Sequence, residues 1–228
     1  MRSMAIVAIL VSMIPASGAG DGGVRRVSAV EFRGLKLLTK FDIIKGVRLK
    51  AVDGGMVIDV PSLEKALSRN TYLRGFSVSE RAGRLIVTVE EKKPSLILVI
   101  ARGGASAIYE LDEGHAILSR NDLHAANVPV LCAAGRDLRN GAGRRGIGNI
   151  LSLLDRVKKN NAPVYRELSD ISCRGENLRV YLRGRKTRFI LKPHETDFMK
   201  LRYIAGQCDR TETYPEEIII SDDAAIIR

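Results

Sequence analysis

Between Phe76 and Glu90 the chain spells out a β-hairpin. Phe76 and Val78 alternate with Ser77 and Ser79, Glu80-Arg81-Ala82-Gly83 supplies a turn, and Leu85, Val87 and Val89 alternate with Ile86, Thr88 and Glu90. A period of two means a sheet with one buried and one wet face. Two strands cannot bury that face alone, so the two helical segments that precede the hairpin have to cover it.

The residues before the hairpin fit that demand. Val27 to Phe32 reads as a strand with Val30 and Phe32 facing in, ended by Gly34. Thr39-Lys40-Phe41-Asp42 has the form of a capping box, the Thr39 hydroxyl placed to accept an amide of the first turn. Phe41, Ile44 and Val47 then recur at helical spacing. Asp53-Gly54-Gly55 is a turn. Asp59 or Val60 caps a second helix, Pro61 fits its first turn, Leu63, Ala66 and Leu67 form its apolar stripe, and Asn70 stops it. The predicted order from Val27 to Lys93 is strand, helix, helix, strand, strand.

Pro94 marks a boundary, and a second block follows. Leu96 to Ile100 is an apolar strand. Ala107 to Leu111 and Ala116 to Leu118 flank a turn at Asp112-Glu113-Gly114, and Val128 to Leu131 is extended. Arg136 to Gly148 is a Gly/Arg-rich loop. Ile147, Ile150, Leu151, Leu154 and Val157 share one helix face, with Lys158 and Lys159 at the end that favours cations. Strands follow at Leu168 to Ser172, Leu178 to Leu182 and Thr187 to Leu191. Phe198, Leu201, Arg202 and Ile204 indicate a last helix, and Glu217 to Ser221 and Ala224 to Ile227 are terminal strand pieces around Asp222-Asp223. The fold class is α+β.

The N-terminus carries the one stretch suited to a membrane. After Arg2 no charge occurs until Asp21, and Met4 to Ile14 is strongly apolar. Two readings stand side by side. One is a signal-peptide core followed by the small residues of Pro15 to Ala19. The other is a retained anchor using Ser3 to Gly20, which at ~1.5 Å per residue just crosses a hydrocarbon core of ~30 Å. Both place the remainder of the chain outside the cytoplasm. The expected segments are 1–23 as signal-anchor and linker, 24–93 as the first domain and 94–228 as the second.

Chemistry is sparsely supplied. The net charge of +11 is compatible with nucleic acid or an anionic membrane surface, but aromatics are 5% and tryptophan is absent, which leaves little for a base-stacking platform. Cys132, Cys173 and Cys208 match no zinc or redox spacing and read as small buried residues, one pair of which could still oxidise outside the cytoplasm. His115, His124 and His194 share no ligand spacing and read as surface positions. Gly141-Ala142-Gly143-Arg144-Arg145-Gly146 matches GxGxxG without the strand that a dinucleotide site requires. Glu90-Glu91 and Asp222-Asp223 are adjacent carboxylates that point apart on a strand and read as solvated. Ser119, with His115 and His124 near it in sequence, lacks the glycine-flanked elbow of a nucleophile. No enzyme activity, cofactor, metal or small-molecule substrate is expected.

Taken together, the ordered motifs resemble the FtsQ/DivIB family of bacterial division proteins. The resemblance begins at Val30-Glu31-Phe32-Arg33-Gly34 and continues through the helix capped at Thr39, the Asp59…Leu63…Leu67 helix and the hairpin ending in Glu90-Glu91-Lys92-Lys93-Pro94. Tyr109 to Gly114 is similar to the family's Asp-x-x-Gly turn, Val128 to Leu131 to its Leu-Pro-x-Leu stretch, Lys200-Leu201 to its basic-Leu pair, and Glu217 to Ile220 to its terminal strand. Departures are Thr71-Tyr72-Leu73 where the family has Pro-Trp-hydrophobic, Ile219-Ile220-Ser221 where it has Asp-Leu-Arg, and a nearly absent cytoplasmic N-terminus.

The resemblance implies an inner-membrane anchor, a POTRA domain of β-α-α-β-β order, and a mostly antiparallel β domain with a C-terminal edge strand. It implies a non-enzymatic divisome scaffold at the septum, its bulk periplasmic, that binds FtsB/FtsL-type partners and helps control septal peptidoglycan synthesis. The edge expected to bind the partner is Glu217, Ile218, Ile219, Ile220 and Ser221, since a terminal strand pairs on one side and leaves main-chain groups free on the other. The alternatives are a POTRA-type module handling outer-membrane or secreted precursors, and a basic nucleic-acid-binding protein.

Overall fold

The computed structural model describes residues 23–125, 127–134, 146–221 and 224–228. The apolar N-terminal stretch, the Gly141 to Arg145 portion of the GxGxxG match and Asp222-Asp223 lie outside the described residues.

The first eight elements are β1 (Val24–Val27), β2 (Ala29–Arg33), α1 (Lys40–Ile44), β3 (Leu49–Val52), β4 (Gly55–Asp59), α2 (Val60–Arg69), β5 (Leu73–Arg81) and β6 (Arg84–Glu91). β5 and β6 form the expected hairpin, tipped by Ala82 and Gly83 at φ 50° and 69°. β2 lies parallel to β6, giving the order β2-β6-β5. Leu85, Val87 and Val89 are buried beneath Leu63 and Leu67 of α2, the one face that the alternation demands. α2 starts and stops where its residues dictate. The Asp59 carboxylate accepts the Ser62 amide at 3.1 Å, Pro61 occupies the first turn and Asn70 caps the end. Gly34 closes β2 at φ +86°, where a Cβ would overlap the Val89 carbonyl oxygen, so only glycine fits.

Two features of this unit differ from the expectation. The Asp53-Gly54 turn is the tip of a further hairpin, β3–β4, set between the two helices and extended by β1 into the sheet β1-β4-β3. Its strands are four and five residues long and bury only Ile58 fully, too little to leave a period-two signal. α1 has five residues, too few for a helical stripe, so Ile43 and the preceding Leu38 face the core while Phe41 is 66% exposed. At its start the capping box of Thr39 and Asp42 forms, and Asp42 accepts from both the amide and the hydroxyl of Thr39, each at 2.7 Å; these bonds hold its carboxyl below the usual range.

The second block builds a nine-stranded sheet from β7 (Pro94–Arg102), β8 (Ala105–Asp112), β9 (Ile117–Arg120), β10 (Val130–Ala134), β11 (Leu168–Arg174), β12 (Asn177–Leu182), β13 (Arg188–Leu191), β14 (Glu217–Ile220) and β15 (Ala225–Ile227). The order is β15-β14-β13-β12-β11-β10-β7-β8-β9. Most neighbours are antiparallel. The parallel ones are β7–β10, β10–β11 and β13–β14. The last two need helical crossovers. These are α3 (Ile147–Asn160) with α4 (Ala162–Glu167), and α5 (Glu195–Thr211). α4 carries Pro163 in its first turn and had no forecast. All three helices cover one sheet face, where Leu131, Ile171, Val180, Phe189 and Ile218 meet Leu154, Val157, Phe198 and Leu201. The chain is thus mixed α+β around a large, mostly antiparallel sheet. Among the described residues no helix is long and apolar enough to cross a membrane.

There are two hydrophobic cores, one drawn from Val27 to Val89 and one from Leu96 to Ile220. Leu118 of β9 is the exception, since it packs in the first core, and the Thr71 hydroxyl donates to its carbonyl oxygen.

Candidate interaction edge

A sheet holds on to a partner strand only where its main chain is free, so each sheet edge has to be weighed. The β9 edge of the large sheet is occupied, because Leu118 sits in the core of the N-terminal unit. The edges of the two small sheets carry charge: Arg25 and Arg26 on β1, Lys50 on β3, Glu31 and Arg33 on β2, Arg74, Glu80 and Arg81 on β5. Charges on an edge discourage pairing. β15 differs, being Ala225-Ile226-Ile227 with no charge inside it.

This placement corrects the strand assigned to the partner. Glu217 to Ile220 is not the edge. β14 pairs with β13 on one side and β15 on the other, with Ile218 opposite Ile227, Ile219 opposite Ile226 and Ile220 opposite Ala225. Ser221 closes the connection, its amide donating to the Ala224 carbonyl at 2.9 Å. Within β14 the faces divide by alternation: Ile218 and Ile220 are buried, and Ile219 on the opposite face is partly exposed. Glu217 is also buried and accepts from Arg188 Nε at 2.7 Å, an ion pair that anchors β14 to β13.

The free donors can be assigned from the register. Glu217 and Arg228 exchange both main-chain bonds, at 3.2 and 2.9 Å, as a hydrogen-bonded antiparallel pair does. Alternation then turns residues 224, 226 and 228 toward β14. The N–H and C=O of Ala225 and Ile227 point away from it, at the outer rim. The side chains there are apolar and exposed, Ile226 by 49% and Ile227 by 64%. Ile226 continues a cross-strand row with Ile219 and Ile190 on the sheet face that the helices leave uncovered. Such an edge supplies main-chain bonds and two alternating apolar contacts to an incoming strand. The sequence marked Ala224 to Ile227 as a strand piece, but not that it would pair along the outer side of β14 and take the edge from it.

The residues weighed for chemistry fall elsewhere. Ser119 and His124 do come together, but around Glu110 rather than with each other. Glu110 is fully buried and accepts from the hydroxyls of Tyr72 and Ser119 and the amides of His124 and Ala125. The Tyr72 hydroxyl also lies 3.1 Å from His124 Nδ1. Glu110 takes donors from Tyr72 on one side and from Ser119, His124 and Ala125 on the other, so the cluster joins two units. His115 lies 3.2 Å from Asp155, and of the three histidines His194 is exposed while His115 and His124 are half-buried. Glu90 pairs with Arg74 at 3.1 Å. Glu91 is not solvated as forecast, because its carboxylate accepts the amides of Lys36, Leu37 and Leu38 at 3.1, 2.8 and 3.1 Å. Of the three cysteines, Cys208 is buried and Cys132 and Cys173 are half-buried. Burial pushes the Cys132 thiol up, away from the reactive thiolate. Among the described residues no group of side chains has the composition of a metal site.

No known protein-family model matches this chain, and no curated protein matches it.

Proposed function

We propose that this chain is a membrane-anchored scaffold of the bacterial division machinery, of FtsQ/DivIB type, and that β15 is where a partner adds a strand. The observation that carries the reading is the uncharged rim at Ala225-Ile226-Ile227, beside edges that are each charged or covered. The helix, helix, hairpin sequence α1-α2-β5-β6, with β2 parallel to β6, supports reading residues 24 to 93 as a POTRA domain that carries an inserted hairpin. In this reading the apolar N-terminal stretch holds the chain in the inner membrane and the rest projects into the periplasm. The partner is the periplasmic part of an FtsB/FtsL-like coiled-coil pair, and the chain performs no catalysis.

The test uses the full chain in dividing cells and in pull-downs with the FtsB-like protein. Ile227→Pro removes an outward main-chain donor without touching a bond to β14, and Ile226→Lys puts charge on the rim. Both should abolish partner capture and septal recruitment of the partner while the melting temperature stays at the wild-type value. Wild-type capture by both folded variants would refute the edge, and a fluorescent fusion that never gathers at the septum would refute the divisome role.

A further inference from the structure

A second surface, far from β15 in sequence, has a consistent chemistry of its own. Between α1 and α2 runs an open cleft of about 700 Å³ whose charged lining is Lys45, Arg48, Lys65 and Arg69 against Asp42 and Asp59. Both carboxylates are engaged internally, Asp42 by Thr39 and Asp59 by the Ser62 amide. All four cations are exposed. Arg48 makes one loose pair with Asp59 at 3.9 Å, its own side chain 87% exposed. Among the described residues Lys65 and Arg69 have no carboxylate within ion-pair distance. The cleft therefore presents a surplus of positive charge that the fold does not consume.

Its position names the occupant. The described chain starts at Gly23, whose carbonyl accepts the Val60 amide at 2.8 Å and whose Cα lies against the Pro61 ring. Asp59 and Pro61 also line the cleft. In the anchored reading the membrane segment Ser3 to Gly20 is joined to this point by Asp21 and Gly22 alone. Two extended residues span at most ~7 Å, so a chain held in a bilayer by that segment keeps this cleft close to the lipid surface. α1 also leaves Phe41 exposed, with the Lys40 ammonium 5.3 Å from its ring centre, an aromatic and cation pairing suited to a headgroup layer.

We propose that the α1/α2 cleft docks on anionic phospholipid headgroups through Lys45, Arg48, Lys65 and Arg69, so that the N-terminal unit lies against the membrane and presents the remainder of the chain in a fixed direction. The proposal rests on the anchored reading given above. The experiment places the full chain in lipid nanodiscs of phosphatidylcholine, with and without phosphatidylglycerol, and follows amide hydrogen exchange over Lys40 to Arg48 and Val60 to Arg69. Exchange should slow in the phosphatidylglycerol discs alone. High salt should reverse the protection, because it screens exposed charges beyond a few ångströms. Each charge removed should weaken docking by roughly five-fold. The variant K45E/R48E/K65E/R69E should lose the protection altogether, with Lys65→Gln and Arg69→Gln as milder changes on the exposed face of α2 should the fourfold variant melt early. Equal exchange in both lipids overturns the proposal and leaves the anchor standing. If the chain does not insert, the anchor reading fails, and sedimentation with phosphatidylglycerol vesicles tests the cleft alone. Sedimentation lost in the variants supports it; no sedimentation, or binding to a DNA duplex in its place, overturns it.

Discussion

The hydroxyl of Tyr72 donates to the carboxylate of Glu110, and this bond ties the residue just before β5 to the middle of β8. Glu110 is fully buried, and each of its four donors offsets part of the cost of holding a carboxylate out of water. Tyr72→Phe removes that donor, together with the hydroxyl's contact with His124 Nδ1, and leaves the ring in place. It should lower stability by about 1–3 kcal/mol, read by urea denaturation. It should also raise trypsin cleavage at Lys92, where the two cores divide. Unchanged stability and cleavage would mean that the remaining donors suffice.

Alkaline pH should weaken the fold through two tyrosines. Burial and then Glu110 push the Tyr72 phenol well above its ordinary value, and burial, reinforced by Asp155 and Glu113, pushes Tyr165 up to about 12. An unfolded tyrosine loses its proton near pH ~10. Above that value the unfolded chain binds fewer protons than the folded one, so stability falls with rising pH. Below it neither phenol contributes any pH dependence. Denaturation midpoints measured upward from pH ~9 should decline, and the decline should be shallower in Tyr165→Phe. An identical slope in that variant would remove Tyr165 from the account.

Substitutions in the last two strands should separate by face. Ile218→Lys and Ile220→Lys place an ammonium in the apolar core and should cost about 3 kcal/mol or more, with loss of cooperative folding. Ile226→Lys lies on an exposed rim and should stay within about 0.5 kcal/mol of wild type. Thermal melts of the three variants decide the matter. A destabilised Ile226→Lys would mean that the rim is packed.

Gly34→Ala should be among the most damaging single-methyl additions. It forces a left-handed φ of +86° on a residue with a Cβ and drives that Cβ into the Val89 carbonyl. A loss of about 2 kcal/mol or more is expected from denaturant curves. Gly54→Ala shares the positive φ but meets open space, so it should cost less.

Much of this chain was legible because much of it is local. The hairpin at Ala82-Gly83, the Asp59 cap, the Asn70 stop and the stripe on α3 each depend on residues a few positions apart, and the sequence carries them complete. The β3–β4 hairpin and α4 were missed because their apolar content is too small to show a period. Glu110 gave no sign of its role, since Tyr72 is brought to it only when the two units meet, and His124 and Ala125 only when the segment after β9 folds back onto β8. The edge shows the limit most clearly. That Glu217 to Ile220 is a strand with Ile218 and Ile220 on one face follows from alternation. Whether it ends the sheet depends on Ala225 to Ile227 folding back beside it, and on α5 carrying β14 across to lie parallel with β13. A strand's own residues set which side chains share a face. Which main-chain groups are left unpaired is set by what lies next to it, and that only the tertiary structure decides.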